Sequence, residues 1–167
     1  MTRVRIAIAL WFALVALAVI ARADDRWPEW DAAERLTLAQ AIAAENSGNE
    51  ADSAAMGWLF VRTWRRFEVT RIDGVIQNYC ALWDRYSRYY ARPSSVAIRA
   101  ATLDTAPQGP DAAGWAKKWP RIVAFVDRFA ARQITDTCPG SRTFGGAMDV
   151  PRMKGKAPRC RLVNLFW

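Results

Sequence analysis

Apolar residues return at three- and four-residue spacing through most of this chain, and that period is the strongest constraint on its fold. Trp30, Ala33, Leu36, Leu38, Ala41 and Ile42 predict a helix reaching about Asn46, where Ser47-Gly48-Asn49 supplies a stop and a turn. Asp52 or Ser53 then offers an N-cap for a second helix carrying Ala54, Ala55, Trp58, Leu59 and Val61 and ending near Arg66. A third helical region is expected from Asp73 to Tyr90, and a fourth from Ser94 to Leu103. Pro107 to Gly114 reads as a loop, and Trp119-Pro120 as the entry to a last helix bearing Ile122, Val123, Phe125, Val126 and Phe129. From Thr137 onward Gly and Pro replace the period, leaving room only for short strands at Thr143-Phe144 and Leu162 to Trp167. The pattern predicts a single mainly α domain with an irregular C-terminal segment.

The first residues follow a different logic. Arg3 and Arg5 precede an unbroken apolar run from Ile6 to Ile20, and Ala21-Arg22-Ala23 places small residues where a signal peptidase reads them. This is the layout of a secretory signal peptide, and the run is short against the roughly 20 residues of a membrane span. The expectation is a signal over residues 1–23, a mature domain over 24–167, export to the periplasm or medium, and no stable membrane insertion once the signal is removed; the alternative is an uncleaved N-terminal anchor.

Composition removes whole classes of chemistry. The chain has no histidine, so Ser-His-Asp and Cys-His couples are absent, and the usual catalytic zinc sets lose a ligand. Carboxylate chemistry on sugars survives, because it needs only Asp or Glu. No motif calls for a metal or an organic cofactor. The balance of 24 basic to 16 acidic residues suits an anionic partner, but the basic residues are scattered and form no nucleic-acid arm. Oligomeric state is left open.

Of the three cysteines, Cys138 and Cys160 both lie in the aperiodic tail and are the pair expected to be bridged in an oxidising compartment. Closing that loop is worth roughly 3 kcal/mol on the chain-entropy account. Cys80, in an apolar helical context, reads as a small buried hydrophobe, although the other two pairings stay open.

Glu45 stands out by position, closing the apolar run Ala41-Ile42-Ala43-Ala44 just before the chain turns. Desolvation and the negative end of the helix dipole both raise the pKa of a carboxyl placed there, which is what a general acid acting near neutral pH requires. Trp83, Tyr86, Tyr89 and Tyr90 offer rings on which sugars stack, with Arg88 and Arg92 beside them to meet carboxylates. Trp58, Trp64 and Trp83 serve equally as core. In Thr143-Phe144-Gly145-Gly146 the paired glycines allow close backbone approach to a ligand, or simply a tight turn.

The segment Ile42-Ala43-Ala44-Glu45-Asn46-Ser47-Gly48-Asn49-Glu50, followed by Ala54 to Arg62, resembles the opening signature of the cell-wall hydrolase family typified by spore-cortex-lytic enzymes. Val75-Ile76 with Leu82-Trp83 resembles that family's next block, and Asp136 to Phe144 its late Gly-containing loop with a following aromatic. Glu50 falls one residue later than the family's second acidic position, and the usual Asn-Arg pair is missing. Glu45, Ser53 and Ala55 to Leu59 are also similar to soluble lytic transglycosylases of the lysozyme superfamily, without their final Gln.

Both resemblances imply an α+β lysozyme-like fold that binds peptidoglycan glycan strands. They imply cleavage of the β-1,4 bond between MurNAc and GlcNAc, with Glu45 as the acid; the ring-stacking and glycine arguments above add Trp83, Tyr89, Tyr90, Thr143, Phe144, Gly145 and Gly146 as the residues expected along the substrate groove. A hydrolytic course asks for a positioned water or a second carboxylate, for which Glu50, Asp52 and Asp149 are the candidates. The competing expectations are a non-catalytic exported module that holds wall glycan, and a cationic Trp-rich protein acting on membranes or a protein partner.

Overall fold

The computed structural model describes Trp11 and residues 25–46, 49–86, 88, 91–145, 153, 156–162 and 164–167. The expected signal peptide falls outside these residues except for Trp11, which is helical and exposed. Among the described residues from 32 onward there are five helices: α1 (Ala32–Asn46), α2 (Glu50–Phe67), α3 (Asp73–Tyr79), α4 (Pro93–Ala100) and α5 (Ala112–Ala130). Three two-residue strands follow among the described residues, β1 (Phe144–Gly145), β2 (Cys160–Arg161) and β3 (Leu165–Phe166), arranged antiparallel in the order β1-β3-β2. None of the helices among the described residues is long and apolar enough to cross a membrane.

α1 is the central helix, packed against α2, α3, α4 and α5. It begins with a reciprocal cap: the Glu34 N–H donates to Asp31 Oδ1 at 2.8 Å, and the Asp31 N–H donates to Glu34 Oε2 at 3.2 Å. Leu38, Ala39, Ala41 and Ile42 are fully buried along it. α2 starts earlier than Asp52 or Ser53, because Asn49 is the cap and its Oδ1 accepts the Asp52 N–H at 3.0 Å. Gly57 lets α2 approach α5 closely, since a Cβ at that position would lie 2.7 Å from the Phe129 ring. Around this crossing Trp27, Trp30 and Trp58 set their rings edge-on or tilted against Phe129. Trp27 and Trp58 hand their indole N–H groups to the carbonyls of Ala130 and Ile134.

Three boundaries differ from the periodic reading. The third helix stops at Tyr79, because Cys80 turns extended (φ −103°, ψ 125°) and the chain folds through turns that bury Cys80 and Leu82. The fourth spans Pro93–Ala100, with Pro93 in its first turn. The last helix starts at Ala112, not at Trp119, and carries Pro120 in its interior. An interior proline costs about 3 kcal/mol. Trp115 and Trp119, one turn apart on the inward face, are buried, and each such burial contributes more than that at about 25 cal/mol per Å² of apolar surface. Pro120 itself faces solvent.

The tail is closed on itself by a disulfide and tied to α2 by an arginine. Cys138 and Cys160 are disulfide-bonded with Cα atoms 5.9 Å apart, and Cys80 is the free, buried cysteine. Arg62 of α2 ion-pairs with Asp136 and donates to Ser141 Oγ (2.6 Å) and to the Ser141 carbonyl (3.1 Å). The Phe144 and Phe166 rings, 5.9 Å apart, fix the sheet, and Phe144 also meets Phe60 of α2.

Candidate functional site

Glu45 sits on the last turn of α1, half-buried, where that helix meets the start of α2 and the residues after α3. The Cys80 thiol donates to Glu45 Oε1 at 2.9 Å, and the Ala81 backbone N–H also reaches the carboxylate. Desolvation is the largest influence and raises the Glu45 pKa above its ordinary value. The Cys80 and Ala81 hydrogen bonds pull it down, and the charge of Asp52 pushes it up again; the net direction is upward. The Cys80 thiol is likewise pushed far up, first by burial and then by the neighbouring Glu45 charge, so it stays protonated as a donor.

Asp52, on the first turn of α2, is fully buried. Both of its oxygens are taken by one residue from the β2–β3 turn: the Asn164 N–H donates to Oδ1 at 2.9 Å and Asn164 Nδ2 to Oδ2 at 2.6 Å. Asn164 Nδ2 also reaches the Glu45 carbonyl at 3.5 Å. Asn164 thus joins the two acidic helix ends to the tail sheet. Glu50, the other nearby acid, is exposed and pairs with Arg128 at 2.9 Å. Asp149 lies outside the described residues.

The groove residues fall into separate groups. Trp83 is half-buried against the core, while Tyr86, three residues on, is 89% exposed with the Arg85 guanidinium 5.7 Å from its ring centre. Thr143 pairs through its backbone with Trp167, and Phe144 and Gly145 form β1 opposite Phe166 and Leu165. The Phe144 ring is held between Phe60 and Phe166. Tyr89, Tyr90 and Gly146 lie outside the described residues. Glu45 is therefore joined to Cys80, Asp52 and Asn164. Of these, Asp52 was legible as a nearby acid. Asn164 and the Cys80 contact gave no signal, being 112 and 35 residues from their partners.

Clefts lined by described residues flank this framework, three of them well defined. One of about 490 Å³ lies beside the Glu45 end of α1, with Ile42 and Ser53 facing Arg121, Phe125 and Arg128. A second, of about 420 Å³, lies at the far end of α2 and is dominated by arginines. The third follows the outer side of α5 around Trp119 and Val123. Glu45 itself is not in the walls of these three. Among the described residues no group of three or more Cys, Asp or Glu side chains is placed to hold a metal. Compared with protein families, with curated proteins and with solved structures, the chain matches none.

Proposed function

We propose that this protein is an exported peptidoglycan-cleaving glycosidase of lysozyme-like fold that uses Glu45 as general acid and then base. The observation that carries the reading is one half-buried carboxyl at a helix end with its pKa raised by desolvation, beside a second, buried carboxylate. The short sheet joined to that helix end through Asn164 and the exposed Tyr86 ring on the segment that also carries Cys80 fit a sugar-binding groove. The disulfide between Cys138 and Cys160 suits an oxidising compartment.

A lytic transglycosylation is the course this arrangement favours. Protonated Glu45 gives its proton to the glycosidic oxygen as the bond to the MurNAc C1 breaks. The resulting carboxylate takes the proton of the muramyl C6 hydroxyl, whose oxygen bonds to C1 and closes the anhydro ring. No water is consumed, and one carboxyl group serves both steps. Asp52 is poorly suited to activating a water, because it is buried and both its oxygens accept from Asn164.

A non-catalytic exported module that holds wall glycan is the second reading. It is favoured by the Glu45 carboxyl being turned onto Cys80 and absent from the walls of the three clefts. A zymogram on purified wall, run with the protein and with Glu45→Gln, separates the two. Clearing by the native chain alone supports the enzyme, and binding without clearing by either supports the module. Mass spectrometry of the released sugars tests the course, since the anhydro product is lighter by one water.

A further inference from the structure

We propose that the arginine-walled cleft at the C-terminal end of α2 is a binding site for a phosphate-bearing ligand. This inference does not depend on the Glu45 chemistry. The cleft begins ten residues along α2 from Asp52, about 15 Å at 1.5 Å per residue.

Four guanidinium groups line it; among the described residues only Arg62 has a carboxylate partner, and Arg66 lies over the Phe67 ring, 5.6 Å from its centre. Arg62 is paired with Asp136 and bound to Ser141, which makes it the floor of the cleft. Arg66, Arg142 and Arg159 are exposed and have no carboxylate partner among the described residues. Three like charges brought to one concavity repel each other, and folding gains nothing from gathering them unless an anion is to be held.

The local structure presents these side chains specifically. The Tyr79 hydroxyl donates to the Arg142 carbonyl at 3.4 Å, holding that residue at the rim. The disulfide fixes Cys160 and with it the preceding Arg159. Gly140, at φ +74°, leaves room for Arg159 to lie against its backbone: a Cβ there would fall 3.3 Å from Arg159 Nη1. Phe67 and Tyr79 add aromatic surface for the organic part of a ligand.

Charge selects the ligand class. The end of α2 contributes only about half a negative charge, against three guanidinium charges. One carboxylate would leave the site strongly positive, whereas a phosphomonoester brings about −1.5 to −2 charge and three acceptor oxygens. A volume of about 420 Å³ admits a small molecule or a headgroup.

The test is titration calorimetry on the full chain at matched ionic strength. Its arms are inorganic phosphate, glycerol 3-phosphate, phosphatidic acid vesicles and glutarate, with sodium chloride as the reference. The Arg142→Gln/Arg159→Gln double variant is run beside it. Those two side chains make no hydrogen bond among the described residues, and unchanged circular dichroism and Tm confirm folding. Binding of any phosphate arm, weakened at least tenfold in the double variant, is the expected result. Response to inorganic phosphate identifies a free-phosphate site, and response to vesicles alone a headgroup site. No binding beyond the chloride reference, equal binding by the double variant, or glutarate binding as tight as phosphate overturns the proposal.

Discussion

The two ends of α2 carry opposite chemistry. At its start Asp52 is buried with both oxygens satisfied by Asn164, and Glu45 is half-buried with Cys80 on one oxygen. At its finish Arg66 stands over the Phe67 ring in a cleft with Arg142 and Arg159, and of the cleft's arginines only Arg62 has a carboxylate partner among the described residues. Acid at the N-terminus and base at the C-terminus follow the helix dipole, but burial differs more than charge does. The acidic end is desolvated and internally partnered, which shifts a pKa; the basic end is wet and unpartnered, which leaves charge to offer. The proton held by Glu45 beside the start of α2 and the charge offered at the finish of α2 therefore do not compete.

The largest effect expected at the acidic end is on catalysis. Glu45→Gln should cut wall cleavage by about 10² to 10⁴-fold, the usual share of a general acid, as read by turbidity loss on purified wall. Full activity in that variant breaks the assignment. At the basic end Arg62→Ala removes the ion pair to Asp136 and the bonds to Ser141. The pair is partly exposed, so a loss of about 2–3 kcal/mol is expected in urea, below the figure for fully buried pairs. A loss under about 0.5 kcal/mol, the range of ordinary surface substitutions, would show that the other ties between tail and helices, such as Asn164 to Asp52, suffice without Arg62.

Asn164→Ala removes the Nδ2 donor to Oδ2 of the buried Asp52 and leaves only the backbone N–H on Oδ1, and a cost of about 1–3 kcal/mol is expected. An unchanged Tm there means that water replaces Asn164. The smallest effect is the pH dependence of Glu45. Its raised folded pKa means the native state holds the proton more tightly than the unfolded chain does. The resulting stabilisation is complete below the ordinary value of 4.5 and is lost as pH rises through the folded value. Native and Glu45→Gln proteins should therefore converge in Tm near pH 4, with the Gln variant gaining as pH approaches 8. Parallel curves across that range contradict the desolvated setting of the carboxyl.

Much of the helical frame could be read in advance, because burial of one face imposes a period on the residues themselves. Glu45 was legible for the same reason: it ends an apolar run, and an acid there is desolvated wherever the run packs. The pairing of Cys138 with Cys160 followed from their shared tail. The stop at Tyr79 was not legible, since Leu82 and Trp83 continue the apolar period while Cys80 breaks it only in its backbone. Pro120 misled in the opposite direction, because the burial of Trp115 and Trp119 outweighs the local cost of the proline.

By itself the sequence determined a chain of amphipathic helices with an aperiodic, cystine-bearing end, and it excluded histidine-based chemistry outright. Those are properties of near neighbours and of composition, which need no fold to act. Only the tertiary structure decided that Asn164 would satisfy Asp52, that Cys80 would cap Glu45, and that Arg66, Arg142 and Arg159 would share one cleft. These contacts join residues far apart in the chain. Desolvation and charge clustering depend on where side chains end up in space, and no local pattern encodes that.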